Sequence, residues 1–342
     1  MFEHELEGTE EEFYPPQVEA GRLKTFIETE LSECQANLPE KWNTNMAGRV
    51  TKYTAAALLG KYYMFIGEKA KAKTEFWKVI DSHRYELMEN YGDNFNGLHE
   101  NNKESILEVQ FTGSLEGGHY EYNLFTLHLG PDSGCGAYEE AYPSKWLFNT
   151  LKKDLTEDGE YSDRLYETII FDDPKSRPFY YEDGKGFSDY HQEDNIYWRK
   201  YVTYDKSLGD YWDYSGFNIP LIRYADILLL YAECLNDEGN SKEAIKYINK
   251  VRDRVHVTPL SDTLSKEQVL KHLQDVERPC ELALEGSRWY DLIRWGIVED
   301  ALKSHEKPFA SNFISTKHIR LAIPHKEFLM NPDWVQNEGY TK

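Results

Sequence analysis

The residues best suited to chemistry crowd into Cys280–Gly296, CELALEGSRWYDLIRWG, which holds Glu281, Glu285, Arg288, Trp289, Asp291, Arg294 and Trp295, with Arg278 just ahead. Three chemistries fit such a set. Two carboxylates a helical turn apart could cleave a glycosidic bond, which needs a pair roughly 5–9 Å apart. Two tryptophans could stack a flat ligand. Alternating charges could simply pair: on a helix Glu281–Glu285 is i, i+4, while Glu285–Arg288, Arg288–Asp291 and Asp291–Arg294 are each i, i+3. A hydrolytic acid needs a raised pKa, and neighbouring arginines push the other way. The stretch therefore reads as an internal ion-pair ladder, its tryptophans as core, and no catalytic residue is assigned.

A second set is aromatic. Residues 180–217 carry Tyr180, Tyr181, Tyr190, Tyr197, Trp198, Tyr201, Tyr204, Tyr211, Trp212 and Tyr214 among Asp, Gly and Lys, without helical period. Sugar rings stack their C–H faces on flat aromatics and offer hydroxyls to neighbouring polar groups, and this run supplies both partners. The competing reading is that the tyrosines cover a loop with no core of its own. Alternation at Tyr197, Arg199, Tyr201 and at Trp198, Lys200, Val202 also allows a half-buried strand. The candidate ligand-binding residues are Tyr211, Trp212, Tyr214, Trp198 and Tyr204. The glycine-rich LHLGPDSGCGAYEE (127–140) lacks the lysine and spacing of a phosphate loop and reads as a mobile loop lining a cleft. The histidines show no metal-ligand spacing, no Ser-His-Asp or Cys-His set can be assigned, and neither metal nor cofactor is expected.

These residues must be positioned by helices. A helical pattern covers 17–37, and two more, 48–67 and 68–82, meet at Gly67. A second pair, 221–239 and 240–255, meets at Gly239. Each pair spans about 34 residues, the tetratricopeptide length. Leu59, Gly60, Tyr63, Ala72 and Phe76 match that repeat, and Tyr231, Ala232, Leu235, Ala244 and Ile248 echo it 172 residues on. Between the pairs, 104–111 alternates as a short strand, 112–220 is loop-rich with a short helix near 143–153, and a later helix opens at Ser265 with Gln268 completing a capping box.

The bulk numbers exclude some partners. A net charge of −21 over 342 residues argues against nucleic acid. The four cysteines, Cys34, Cys135, Cys234 and Cys280, lie far apart without a metal pattern. Residues 1–22 form an acidic lead-in with six glutamates in the first twelve positions, unlike a signal peptide.

Six segments in order resemble the SusD/RagB family of Bacteroidetes outer-membrane lipoproteins. They are LPEKWNTNMAGRVTKYTAAALLGKYYMFIG, NNKESILEVQF, IPLIRYADILLLYAECLNDEG, EAIKYINKVRDRV, ERPCELALEGSRWYDLIRWG and AIPHKEFLMNPDWVQNEGY. The resemblance spans residues 23–340 and implies a mainly α fold of tetratricopeptide-like helix pairs carrying an irregular, loop-rich insert, as a single domain over 23–342. It also implies a cell-surface lipoprotein, not an enzyme, that captures an oligo- or polysaccharide and passes it to a SusC-type TonB-dependent transporter. Within the aromatic run it sets RKY (199–201) at a structural position, which favours Tyr211, Trp212 and Tyr214 over Tyr197 and Trp198 as exposed. Three departures stand out. The lipoprotein signal, lipidated cysteine and first helix pairs are expected upstream, so the chain reads as the C-terminal part of a longer member. Pro279 interrupts a helix after ER and predicts a kink or fresh start. Glu338 stands in place of a proline near the end. The rival functions are a tetratricopeptide-like adaptor that binds peptides, and a glycoside hydrolase using Glu281 and Glu285.

Overall fold

The structure is a computed structural model, describing residues 14–112, 121–131, 137–176, 185–202, 215–305 and 307–342. The chain divides into two compact units, one of residues 34–288 and one combining the N-terminal residues up to 33 with 289–342. Helix α1 (Ala20–Asn37) straddles that boundary.

The larger unit is built on two helix hairpins. In the first, α2 (Lys52–Phe65) packs on α3 (Lys69–Asp81). Thr51 caps α2 in a reciprocal box with Thr54, supplying partners for amides that the first turn leaves bare. Ala55, Ala56, Leu59, Gly60 and Tyr63 face inward against Ala72, Phe76 and Val79. Gly60 is small for a reason: a Cβ there would sit 2.5 Å from the Phe76 ring. Gly67 closes the helix at φ +81°, and the Glu68 amide donates back to Tyr63 O at 2.8 Å.

The same device recurs 172 residues later, where Gly239 lies at φ +83° and the Asn240 amide donates to Leu235 O at 2.9 Å. This is the second hairpin, reached after the insert. Strand β1 (Ser105–Val109) leads into the insert, whose regular elements are α4 (Phe125–Leu129), α5 (Lys145–Lys153), α6 (Asp163–Thr168), β2 (Ile169–Ile170) and β3 (Tyr197–Trp198). Strand β4 (Ile219–Arg223) leads out of it, pairing antiparallel with β1 through an irregular register, and β2 pairs with β3. Helices α7 (Tyr224–Asp237) and α8 (Ser241–Arg254) then form the hairpin, and α3 packs on α7, so α2, α3, α7 and α8 make one continuous layer. The helical pattern read from residue 221 thus begins at Tyr224. Its first residues belong to β4, where Pro220, Ile222 and Arg223 are buried and Leu221 is exposed.

Helix α9 (Lys266–His272) opens at Ser265 with the expected box to Gln268, runs through a π-helical turn at Leu273–Glu277, and gives way to the single-turn helix α10 (Arg278–Glu281). Pro279 stands in the first turn of α10, directly after the π-helical turn. The insert's core joins Tyr91, Phe95, Leu151, Leu165, Trp198 and Phe217 with Val255 and Cys280 from the helices.

The smaller unit holds α11 (Arg288–Trp295, from Trp289), α12 (Val298–Ser304), α13 (Ser315–His318) and α14 (His325–Met330). Its own core is Leu292, Val298, Ala301, Leu302 and Ala310. Among the described residues, no helix is long and apolar enough to cross a membrane.

Candidate functional site

The charged stretch is not one helix. Between α10 and α11 the chain turns, with Leu284 at φ +63° and Gly286 at φ +75°. The i, i+3 pairing of Glu285 with Arg288 is therefore replaced: Arg288 donates to Gln274 O at 2.7 Å, and the glutamates turn inward. Arg223 of β4 donates to Glu281 Oε1 at 3.0 Å and to both oxygens of Glu285 at 2.7 and 2.8 Å. It also donates to Glu104 Oε1, and Arg254 of α8 bridges Glu104 Oε2 at 3.1 Å and Glu281 Oε1. Arg164 of α6 lies 3.2 Å from Glu281 Oε2, close enough to attract it but off the line of a hydrogen bond. Glu104, Glu281, Arg164 and Arg223 are essentially solvent-free. The Asp291–Arg294 step of the ladder read from spacing is present, at 2.9 Å.

Burial alone would raise the Glu281 carboxyl, but Arg254, Arg164 and Arg223 outweigh it and hold the group down at about 2. Lys200, also fully buried, donates to Ala283 O at 2.9 Å and Glu285 Oε1 at 2.8 Å, and burial lowers its ammonium to about 8. The Tyr91 and Phe95 rings close over these cations, with Lys200 Nζ 4.1 Å from the Phe95 centroid. A carboxylate held ionised by several cations is poorly suited to donate a proton to a leaving group, and these pairs tie the surrounding elements together. A second knot links Glu277 of the π-helical turn to Arg164 and Arg252, each at 2.7 Å, and Arg252 to Asp154 at 2.8 Å. Together these pairs fasten α6, α8, α10, β1 and β4.

Of the aromatic candidates, Trp198 lies in β3, paired with Ile169 and only 6% exposed, so its ring belongs to the insert's core and offers no surface to a ligand. The strand allowed by alternation forms at its first two residues, and packing won there because β3 must cover β2. Tyr197 and Tyr201 are buried too, Tyr201 at φ +63° between Phe95, Phe125 and Phe217. Tyr204, Tyr211, Trp212 and Tyr214 lie outside the described residues.

Next to the insert's α4, Tyr138 and Tyr142 are among the most exposed of the described aromatics, at 62% and 54%. The chain returns here to α4, with the Tyr138 amide donating to Leu127 O at 2.7 Å and the Glu140 amide to His128 O at 2.8 Å. His128 Nδ1 is 2.9 Å from the Glu140 carboxylate. The Tyr142 hydroxyl donates to Glu139 Oε2 at 2.8 Å, a bond that pushes the phenol up to about 12 and keeps it neutral. Behind Tyr142 stands the buried Tyr197 ring, 5.9 Å away. Exposed rings with carboxylates beside them suit a polyhydroxylated ligand: apolar faces for ring C–H groups, acceptors for hydroxyls. Residue-type reading passed over both tyrosines because the loop was weighed for phosphate; the signal was AYEEAYP, two tyrosines flanking two glutamates before a proline.

Comparison with known proteins decides the family, because the SusD family profile matches residues 33–340. The chain belongs to the SusD family. A SusD-like protein, P25, of Formosa agariphila is 26% identical over 93% of this chain and 64% of its own length. A second, P2, from the same organism is 27% identical over 85% of this chain and 60% of its own length. The chain thus spans under two thirds of these SusD-family relatives. Among solved structures, a SusD superfamily protein from Bacteroides vulgatus superposes with a TM-score of 0.82 at 26% identity, covering 94% of this chain and 69% of that one. A laminarin-binding SusD-like protein superposes at 0.74 and 27%, covering 95% and 70%. The mainly α, helix-hairpin architecture with few short strands is the SusD-like fold.

Proposed function

We propose that this SusD-family chain captures a glycan at the bacterial cell surface without cleaving it, and hands it to a SusC-type TonB-dependent transporter in the outer membrane. The observation that carries the reading is the exposed Tyr138–Tyr142 surface, backed by carboxylates and presented by an insert that buried ion pairs fasten to the helix layer. The laminarin-binding relative supports a glycan as ligand class. Tyr211, Trp212, Tyr214 and Tyr204 remain the proposed contributors from the neighbouring run, while Trp198 belongs to the insert's core. The depressed Glu281 carboxyl supports a binding role over acid catalysis at that residue.

Affinity electrophoresis of the purified chain in gels containing laminarin tests the reading. Retardation is expected, weakened about tenfold in a Tyr138→Ala/Tyr142→Ala variant and in Trp212→Ala, as for aromatic anchors elsewhere. Unchanged retardation in all variants would remove the aromatic surface from the proposal. Release of reducing sugar that disappears in Glu285→Gln would favour the hydrolase. Co-purification of the full-length protein with a TonB-dependent transporter tests delivery.

A further inference from the structure

A cavity of about 530 Å³ opens in the larger unit, away from the tyrosines, between the segment before α2, the turn after α3 and the approach to β1. Its lining is unusual for a chain carrying −21. Lys41, Arg49, Arg84 and Lys103 face it, with His83, against the carboxylates of Glu40 and Glu108 only.

The carboxylates offset only part of this charge, Lys103 being paired as well with Glu86 at 3.4 Å. Glu108 is buried and already accepts from the Asn101 amide at 3.0 Å and from Asn218 Nδ2 at 2.9 Å. Glu40 is shared between Arg84 at 2.8 Å and Lys52 at 3.6 Å, and the Arg84 hydrogen bond holds its carboxyl below the ordinary range. Lys41 and Arg49 have no carboxylate within ion-pair distance among the described residues. Arg49 is nevertheless placed: its guanidinium lies over the Trp42 ring, 5.7 Å from the centroid, and the Trp42 indole N–H donates to Val50 O at 2.8 Å. A guanidinium stacked on a fixed indole has lost much of its freedom before any ligand arrives, which lowers the entropic cost of binding. The chain turns at the rim through left-handed residues, His83 at φ +51° and Asn101 at φ +50°, two residue types that enter this region readily.

The geometry points to this pocket as a binding site for an anionic group carried by a sugar, a carboxylate or a sulfate ester. Fixed cations in a partly enclosed site attract such a group while the rest of the surface repels it, so binding would be local and specific to the pocket. The pocket would then define the ligand class as an acidic glycan, an inference that rests on the glycan-binding reading and narrows it.

Calorimetric titration of the chain with oligogalacturonate, dextran sulfate, unmodified dextran and laminarin separates the two ideas. Oligogalacturonate or dextran sulfate is expected to bind, more weakly at about 300 than at about 50 mM salt, and whichever binds better identifies carboxylate or sulfate. Arg49→Ala and Lys41→Ala should each weaken that binding about tenfold and leave laminarin binding unchanged. Both residues are exposed and outside any ion pair, so the variants are expected to fold, and an unchanged thermal midpoint verifies it. The pocket proposal is overturned if laminarin binds and neither acidic polymer does, if the two variants bind the acidic polymer as tightly as the parent, or if they lose laminarin equally. If an acidic polymer binds through Arg49 and no neutral glycan binds, the pocket stands and the aromatic surface falls. If nothing binds, both fail.

Discussion

Replacing Glu281 with glutamine tests whether the buried charges hold the larger unit together. The carboxylate is solvent-free and faces Arg223 at 3.0 Å, Arg164 at 3.2 Å and Arg254. Its folded pKa of about 2 lies below the ordinary 4.5. At about 1.4 kcal/mol per pH unit, that gap corresponds to about 3 kcal/mol of stability at neutral pH. Glutamine also leaves three guanidiniums with one negative charge fewer in a dry site, and breaking a buried pair from one side costs about 3–5 kcal/mol. A loss in that range would lower the melting midpoint by about 10 °C for a unit of this size. The sign with pH is fixed by the depressed pKa: the contribution is complete above the unfolded value of about 4.5 and disappears as pH falls towards 2. The difference between parent and variant should therefore shrink by about 2 kcal/mol from pH 7 to pH 3. Urea unfolding at both pH values, followed by far-ultraviolet circular dichroism, measures this difference. A midpoint within about 2 °C of the parent at pH 7, or a difference that stays constant down to pH 3, would refute the reasoning.

Three further outcomes follow from the same geometry. Gly60→Ala forces a methyl to within 2.5 Å of the Phe76 ring and should destabilise the first hairpin by about 1–3 kcal/mol, read from urea midpoints. With Cys135 replaced by serine, Ellman's reagent should label Cys34 alone in the native protein and all three remaining thiols in urea, because Cys234 and Cys280 are buried and burial pushes the Cys280 thiol up. In a double-mutant cycle, Glu281→Met and Arg254→Met should each destabilise more than half as much as the pair together, with a coupling of at least about 1 kcal/mol; additivity within about 0.5 kcal/mol would show the two charges to be independent.

The helix hairpins were legible because their signals are local. Gly67 and Gly239 each mark a left-handed exit, and Leu59, Gly60, Ala72 and Phe76 carry the small-to-large contact within a few turns. Strand β4 was not legible, since the run Ile219–Ile222 is apolar on either reading and only its partner, β1, turns it into a strand. The ion-pair ladder failed for a similar reason. Spacing at i, i+3 presumes one unbroken helix, and nothing in the letter Leu284 announces a left-handed backbone. The true partners, Arg223 and Arg254, stand 58 and 27 residues before Glu281, where no periodicity reaches. For the aromatic run, alternation allowed half of residues 197–202 to be buried, whereas Tyr197 and Trp198 are buried together, and which tyrosines face outwards depends on how the insert folds back on α4.

That dependence explains why so much charge is buried at this point. The insert is poor in regular structure, and β1–β4 is its two-stranded connection to the helix layer. A two-stranded ribbon is marginal by itself and leaves register weakly specified. Apolar packing there resists a one-residue slip only through Pro220 and Ile222, which are buried where Leu221 is exposed. Glu104, one residue before β1, and Arg223 at the end of β4 add a directional constraint against it. A one-residue slip would withdraw the Arg223 guanidinium from three carboxylates at once and leave it unpaired in a dry core. The buried charges therefore act on the proposed function indirectly: they set the register from which the Tyr138–Tyr142 surface is presented. Loosening them should blur ligand affinity before it unfolds the helix hairpins.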